Sequence, residues 1–312
     1  MYKYVIKRLL FMILVVLGAA FVIFTIMYFT PGDPARQLLG EGATAADIAA
    51  MRAKLGIDKP FLVQFGNYLY ATFIKFDLGT SWKYQVPVID EFMNRLPRTI
   101  GMGLAKICLT ALIGIPIGIV AAKHQGQWQD YGILALLMIF VSMPNFWLAL
   151  ECVLIFSVKL QWLPAYGIGG IQYYILPVVA GCFNSAANIA KQTRSSMLEI
   201  IRADFITTAR AKGLSEKIIT TRHMIPNALM PVITVIGGQF AHVAVGSTIF
   251  EKVFSIPGVG LYLLDGISYR DYPVVRSCTM FFALFSAVAM LIVDLAYAWL
   301  DPRIKAQYTG KK

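Results

Sequence analysis

LLFMILVVLGAAFVIFTIMYF, residues Leu9 to Phe29, is an uncharged, almost wholly apolar run set behind Lys3, Lys7 and Arg8. A helix of that length, rising about 1.5 Å per residue, matches the ~30 Å hydrocarbon core of a bilayer. A cleaved signal peptide has a shorter apolar core closed by a small-residue cleavage site. Here the run ends in Thr30-Pro31-Gly32-Asp33-Pro34 instead, so it reads as a retained first span. The rest of the chain has the same character: 312 residues, 58% hydrophobic and 14% charged, with a mean hydropathy of +0.65. A soluble domain carries about 25% charged residues, so that class is excluded. Disordered, collagen-like and disulfide-scaffold readings fall too, with 25 Gly, 14 Pro and four Cys in so long a chain. The cysteines (Cys108, Cys152, Cys182, Cys278) lie in or beside apolar segments without CxxC or metal spacing, and read as small buried hydrophobes.

Further apolar segments fall at about Thr99–Ala122, Tyr131–Val158, Tyr173–Ile189, Leu229–Phe250 and Ser277–Leu300. The fourth of the six spans is the weakest, being interrupted by Asn184, Ser185 and Asn188. The expectation is an all-α polytopic membrane protein with about six transmembrane helices, or five without that segment. Pro144 is expected to kink the third. The net charge of +11 follows the membrane pattern rather than that of a nucleic-acid binder. Lys and Arg gather at residues 3–8, in 190–228 and beyond 303, and short loops rich in these residues stay inside. Both termini are therefore expected in the cytoplasm, for a multi-pass protein.

Four regions follow: 1–29, a tail and first span; 30–98, an outer loop; 99–300, the membrane core; and 301–312, a cytoplasmic tail. Loop 30–98 has helical signals of its own. Thr44 with Asp47 three residues on resembles a capping box, and Gly56 sits where a helix would stop. A second helix is expected after Pro60, which makes this a small outer helical subdomain.

The cytoplasmic loop 197–227 is the most informative piece. Leu198, Ile201, Phe205 and Ala209 recur at helical spacing, with Arg202, Arg210 and Lys212 on other faces. Gly213 marks a stop, and Ser215 is placed to cap a second helix with Leu214, Ile218 and Ile225. On physics alone, two short half-apolar helices in the cytoplasm either lie on the lipid surface or await a protein partner.

The same residues resemble the EAA loop of type I ATP-binding-cassette (ABC) importer permeases. That loop reads Glu-Ala-Ala, three residues, Gly, nine residues, then Ile-x-Leu-Pro. Here Thr207-Thr208-Ala209 stand for Glu-Ala-Ala, Gly213 holds its place, and His223 with Ile225-Pro226 stands for the end. These departures resemble the dipeptide/oligopeptide/nickel branch of that family. Pro31-Gly32-Asp33-Pro34, Leu55-Gly56-Ile57-Asp58-Lys59-Pro60, Asp77-Leu78-Gly79-Thr80-Ser81, Glu251-Lys252-Val253-Phe254, Arg270-Asp271-Tyr272 and Asp301-Pro302-Arg303-Ile304 are similar to that branch in the same order.

The resemblance implies a type I ABC importer permease fold. It also implies a second, homologous permease subunit as partner, two cytoplasmic ATPase subunits and an extracytoplasmic solute-binding protein. Thr207, Thr208, Ala209, Arg210, Lys212, Gly213, Leu214, Ile218, His223, Ile225 and Pro226 become the ATPase-coupling residues, with Ala209 and Gly213 small for close approach. The chain has no Gly-x-x-x-x-Gly-Lys-[Ser/Thr] turn and no catalytic or metal-binding constellation. No cofactor is expected on it; ATP and Mg²⁺ belong to the ATPase partners. The ligand implied by the resemblance is a short peptide, with glutathione and nickel chelates as alternatives inside the family. An ATP-independent carrier or channel is the rival of another class, and it would want charges at the centre of several spans.

Polar residues at membrane depth are candidates by default. Lys106 either snorkels outward or lines a path. Glu151, where the resembling family has an apolar residue, either reaches the interface from the outer end of its span or lines the path, where it would favour a cationic or amino-bearing ligand. Asn184 and Asn188 share a helix face, and Gln239 with His242 plays a similar part in the fifth span. For both pairs, pathway lining and interhelical hydrogen bonding stay open. Gly114-x-x-x-Gly118 reads as a helix-packing motif.

Overall fold

The computed structural model describes residues 2–300, with side chains described at residue 6 and residues 8–295. The expected Asp301-Pro302-Arg303-Ile304 motif and tail 301–312 lie outside these residues. Every regular element described is helical; the one β feature is an isolated bridge between Thr80 and Pro87. The first span is α1, Tyr2–Phe29. The outer segment then forms α2 (Pro34–Leu39), α3 (Ala45–Leu55) and α4 (Phe61–Leu69), the last running into a π-helical turn at Tyr70–Ile74. A 36-residue helix, α5, covers Val88–Lys123. It is followed by α6 (Trp128–Ser142) and α7 (Asn145–Cys152), which continues as a π-helix over Val153–Lys159. Next come α8 (Gln172–Ile201), α9 (Asp204–Ala211), α10 (Glu216–Ile218) with a π-turn at Ile219–Met224, and α11 (Ile225–Ala241). The chain closes with α12 (Val243–Gly246), α13 (Thr248–Val253), α14 (Val259–Ser268) and α15 (Tyr272–Leu300).

Four stretches are long and apolar enough to cross a bilayer: Arg8–Phe29, Val88–Lys123, Glu216–Ala241 and Tyr272–Leu295. The third expected span is not one kinked helix. Its limbs Trp128–Ser142 and Asn145–Lys159 meet at 101°. A 15-residue limb reaches only about 22 Å, so the two together make a broken passage and a fifth candidate span. Pro144 explains the break. It pushes Met143 into the extended region (ψ 130°) and carries no N–H for the Phe140 carbonyl. Helix α8 falls outside the apolar set because of its amides and charges, yet it is the most deeply packed helix of the core. Leu176, Ala180, Ala187, Ile189, Ala190 and Met197 on it are all buried.

The chain forms two compact units. One contains α1 to α4, the first turns of α5, α14 and most of α15. In it, the Thr44–Asp47 capping box closes in both directions, at 3.1 and 3.2 Å, and Gly56 ends α3 in the left-handed region. Asp33 caps α2 through the Ala35 N–H (3.0 Å), with Pro34 at the first helical position. The scattered outer motifs then converge. Asp271, buried, accepts from the Ser81 hydroxyl (2.5 Å) and the Lys83 N–H (3.0 Å). The Tyr272 hydroxyl donates to the Met27 carbonyl at 2.9 Å. Gly32 lies directly under the Arg270 guanidinium, where a Cβ would clash.

The other unit is built around α8. Gly114 and Gly118 of α5 face it, and a Cβ on Gly114 would sit 2.8 Å from the Ala186 carbonyl. The small-xxx-small stripe thus brings two backbones together. Cys152, Cys182 and Cys278 are buried, whereas Cys108 is exposed on α5, against the expectation for all four.

The break at Pro144 also explains Asn184. Its Nδ2 donates to the Phe140 (3.4 Å) and Val141 (3.1 Å) carbonyls, two acceptors that lose their helical partners at the break. Asn188 in turn donates to Asn184 Oδ1 at 3.1 Å and fixes the amide's orientation. Asn184→Leu is expected to cost about 1–3 kcal/mol by stranding these carbonyls, measured as thermal unfolding in detergent. Asn188→Ala should cost less than half as much, and equal costs would contradict the capping role.

Candidate functional site

The segment from α9 to the start of α11 is a rigid ledge, built from the end of α8 outward. Helix α8 stops at Ile201, and Ala203 adopts an extended backbone (ψ 143°) before α9 begins. That interruption resets the helical phase: Leu198, Ile201 and Ala209 of the expected stripe still pack into one cluster, while Phe205 turns outward. Ile206 and Ala209 are the buried pair, at 0% and 7% exposure, while Phe205 is 45% exposed. They pack with Ala122, Met197, Ile219, Met224 and Ala228, which joins the ledge to the ends of α5, α8 and α11.

Gly213 turns the chain in the left-handed region (φ 77°). The Gly213 N–H donates to the Arg210 carbonyl (2.9 Å) and the Leu214 N–H to that of Ala209 (3.4 Å), a Schellman closure of α9. A Cβ at Gly213 would meet nothing within 4 Å. What this chain demands there is the backbone conformation, and the small size expected for close approach has no contact to serve within it. Ala209, in contrast, is small because it is packed inward. Ser215 stands at the start of α10 but makes no side-chain cap.

The opposite face carries Thr207, Thr208, Arg210, Lys212, Leu214, Ile218 and Pro226, all exposed. Ile218 is 40% exposed and Leu214 37%. His223 and Ile225 are half-buried, and Ile225 packs against the inner cluster. Arg210 donates to Glu216 at 2.7 Å across the Gly213 turn, and this holds the Glu216 carboxyl below its ordinary range. The result is an apolar step rimmed by cations on a welded base.

A second clamp holds this base, and the residue pattern gave no signal for it beyond two charges beside apolar segments. Asp130, 1% exposed at the start of α6, takes a bidentate pair of 2.7 Å bonds from Arg194 Nε and Nη2 of α8, and a third at 3.1 Å from the Gly126 N–H. The turn after α5 is thereby tied to the helix that leads into α9.

The pathway candidates are placed separately. Asn184 and Asn188 come together as described, which assigns Asn184 to hydrogen bonding; Asn188 remains exposed. Glu151 on α7 is half-buried, with no hydrogen bond or ion pair among the described residues. Gln239 is half-buried near the end of α11 with Oε1 unpartnered, and His242, one residue past that helix, is exposed. Lys106 reaches across to two other helices. Its stem crosses Gly181, where a Cβ would lie 2.9 Å from Cδ, and its ammonium lies against Gly246. The described residues hold no cluster of three or more His, Cys, Asp or Glu placed for a metal.

The chain is similar to known proteins along nearly its whole length. Residues 114–306 match the family model described as binding-protein-dependent transport system inner membrane component, and residues 1–103 match the N-terminal model of such membrane components. The chain belongs to that family, and is a multi-pass permease of an ABC importer. The dipeptide transport system permease protein DppB of Alkalihalophilus pseudofirmus is 38% identical over 98% of this chain and 100% of its own length. The glutathione transport system permease protein GsiC of Salmonella choleraesuis is also 38% identical, over 98% and 99%. Among solved structures, the inward-facing MetNI methionine ABC transporter matches 68% of this chain and 97% of its own, at a TM-score of 0.57 and 17% identity, a likeness of fold.

Removing either partner of the Asp130–Arg194 clamp leaves the other charge poorly satisfied. Because Arg194 is partly solvated, Asp130→Ala is expected to cost about 2–3 kcal/mol, the low end for a buried pair. Thermal unfolding of wild type and Asp130→Ala in detergent checks this, and an unchanged midpoint would contradict the clamp.

Proposed function

We propose that this chain forms half of the translocation pathway of an importer for short peptides, in a prokaryotic inner membrane with both termini in the cytoplasm. A second homologous permease subunit completes the pathway. Two ATPase subunits, carrying ATP and Mg²⁺, dock on the exposed face of 204–226, and an extracytoplasmic binding protein delivers the ligand. The chain itself is a transport subunit without catalytic residues or cofactor. The observation that carries the ligand class is the match, along nearly the whole chain, to relatives named for dipeptide and glutathione transport. Equal identity to both keeps the class at short peptides, glutathione being a tripeptide.

For the coupling role, the support is the two-sidedness of the ledge. Its inner face is fixed by Ile206, Ala209, Ile219 and Met224, and its outer face offers Leu214 and Ile218 beside Arg210 and Lys212. An element packed so firmly transmits displacement as a rigid body, the requirement for alternating access driven from outside the membrane. Ala209 acts from within by keeping α9 seated. Thr207, Thr208 and Pro226 complete the contact face, and His223 and Ile225 anchor its far end. Glu151, Asn188, Gln239 and His242 are the pathway-facing candidates in this reading, with Asn184 acting through the broken helix that it caps.

ATP-dependent uptake of a labelled dipeptide into proteoliposomes tests the assignment. It should require the partner permease, the ATPases and the binding protein together; uptake by this chain alone, without ATP, would establish a carrier instead. Gly213 provides a finer test. Asn tolerates the left-handed region and Val does not, so Gly213→Val should lower coupled uptake at normal membrane insertion while Gly213→Asn keeps most of it. Equal loss in both would mean that the position needs smallness rather than conformation.

A further inference from the structure

The unit that holds the outer helices also holds Arg276 and Lys83, two cations seated on aromatic faces that make no ion pair among the described residues. Arg276 of α15 lies against three aromatic faces, Phe24 at 4.4 Å and Tyr68 and Tyr272 at 5.3 Å each. It makes no hydrogen bond or ion pair among the described residues, and its buried Nε is unpartnered. Lys83 is held in the same manner, its ammonium 4.5 Å from the Tyr269 ring. Both residues line one cavity of about 680 Å³, with Lys54 as a third cation and no Asp or Glu in the wall. A second cavity of about 240 Å³ shares Leu55, Gly79, Trp82, Pro273 and Arg276 with it, and Asp77 lines that second cavity alone.

An aromatic face holds a cation in place without neutralising it. A guanidinium sheltered from water is normally paired, and a bidentate oxyanion suits its planar fork best. The larger cavity falls within the ~300–1,000 Å³ of small-molecule sites. Trp82, Tyr269 and Pro273 give it apolar walls beside the charges. We propose that Arg276 and Lys83 form a carboxylate-binding site in the outer subdomain that receives the free C-terminal carboxylate of a short peptide, with its side chains against the apolar walls. This rests on the peptide-permease reading and adds to the permease a contact that selects free acids over neutral ends.

The test uses the assembled permease–ATPase complex in lipid nanodiscs without binding protein, with Ala-Phe and its C-terminal amide as probes in equilibrium dialysis. Ala-Phe should bind at least about tenfold more tightly than the amide, the worth of one charge-assisted pair. Lys83→Gln and Arg276→Gln should each remove most of that preference, and Arg276→Lys should keep part of it. Lys83 is solvent-exposed, so its variant reads the site even if Arg276→Gln fails to fold. Equal binding of acid and amide, no binding of either, or a preference untouched by Lys83→Gln would each overturn the site. If Lys83→Gln instead abolishes capture of the binding protein while peptide affinity stays unchanged, the cations serve an acidic surface of that partner and the proposal is wrong. Uptake by the complete system separates the two levels. Normal ATP-driven dipeptide uptake alongside a failed binding test rejects this site alone, whereas absence of any peptide uptake by wild type rejects the permease reading beneath it.

Discussion

The burial of Ile206 and Ala209 against Ala122, Met197, Ile219 and Met224 is the contact on which the cytoplasmic side depends. An eight-residue helix such as α9 is too short to persist alone in water. Burying one isoleucine contributes about 1.5–3 kcal/mol, and that apolar contact holds α9 where its own propensity cannot. The consequence is directional. With one face spent on the ends of α5, α8 and α11, Phe205, Leu214 and Ile218 are left at the surface, beside Arg210 and Lys212. The Asp130–Arg194 clamp extends the same base to the turn after α5. A push on the outer face therefore reaches α8 through packed side chains and a bidentate ion pair, with no flexible linker between.

In the other unit, a single carboxylate does the corresponding work. Asp271 gathers Ser81 and the Lys83 backbone, and its neighbours Arg270 and Tyr272 reach Gly32 and the Met27 carbonyl. Three short motifs, far apart in the chain, thus describe one knot. Each is weak as a pattern because its residues have partners only in three dimensions.

Much of this was legible in the residue order. The apolar runs, the Thr44–Asp47 capping box, the Gly56 stop and the Gly114–Gly118 packing stripe depend on neighbours within a few positions, or on a face that a helix repeats. What failed to show depends on phase and on distant partners. The stripe through Leu198, Ile201, Phe205 and Ala209 assumed one continuous helix; the extended backbone at Ala203 puts Ile206 in the place of Phe205, and the other three stay on the buried face. Pro144 announced a kink; its 101° size follows from an α6 limb too short to span and from Asn184 standing ready to cap the freed carbonyls. Asp130 and Arg194, 64 positions apart, carried no signal of their bond. Asn184, weighed equally as a pathway lining and a helix contact, is a cap.

The central claim is that the outward face of 204–226 meets an ATPase while the inward face never leaves the membrane subunit. Site-directed cross-linking in the assembled transporter measures this most directly, with the four native cysteines replaced and single cysteines placed at 218 and at 206. Ile218→Cys should form a cross-linked product with the ATPase subunit whose yield changes with ATP, and Ile206→Cys should form none. A product from 206, or labelling of 218 by lipid-soluble reagents with no ATPase product in any nucleotide state, would contradict the account.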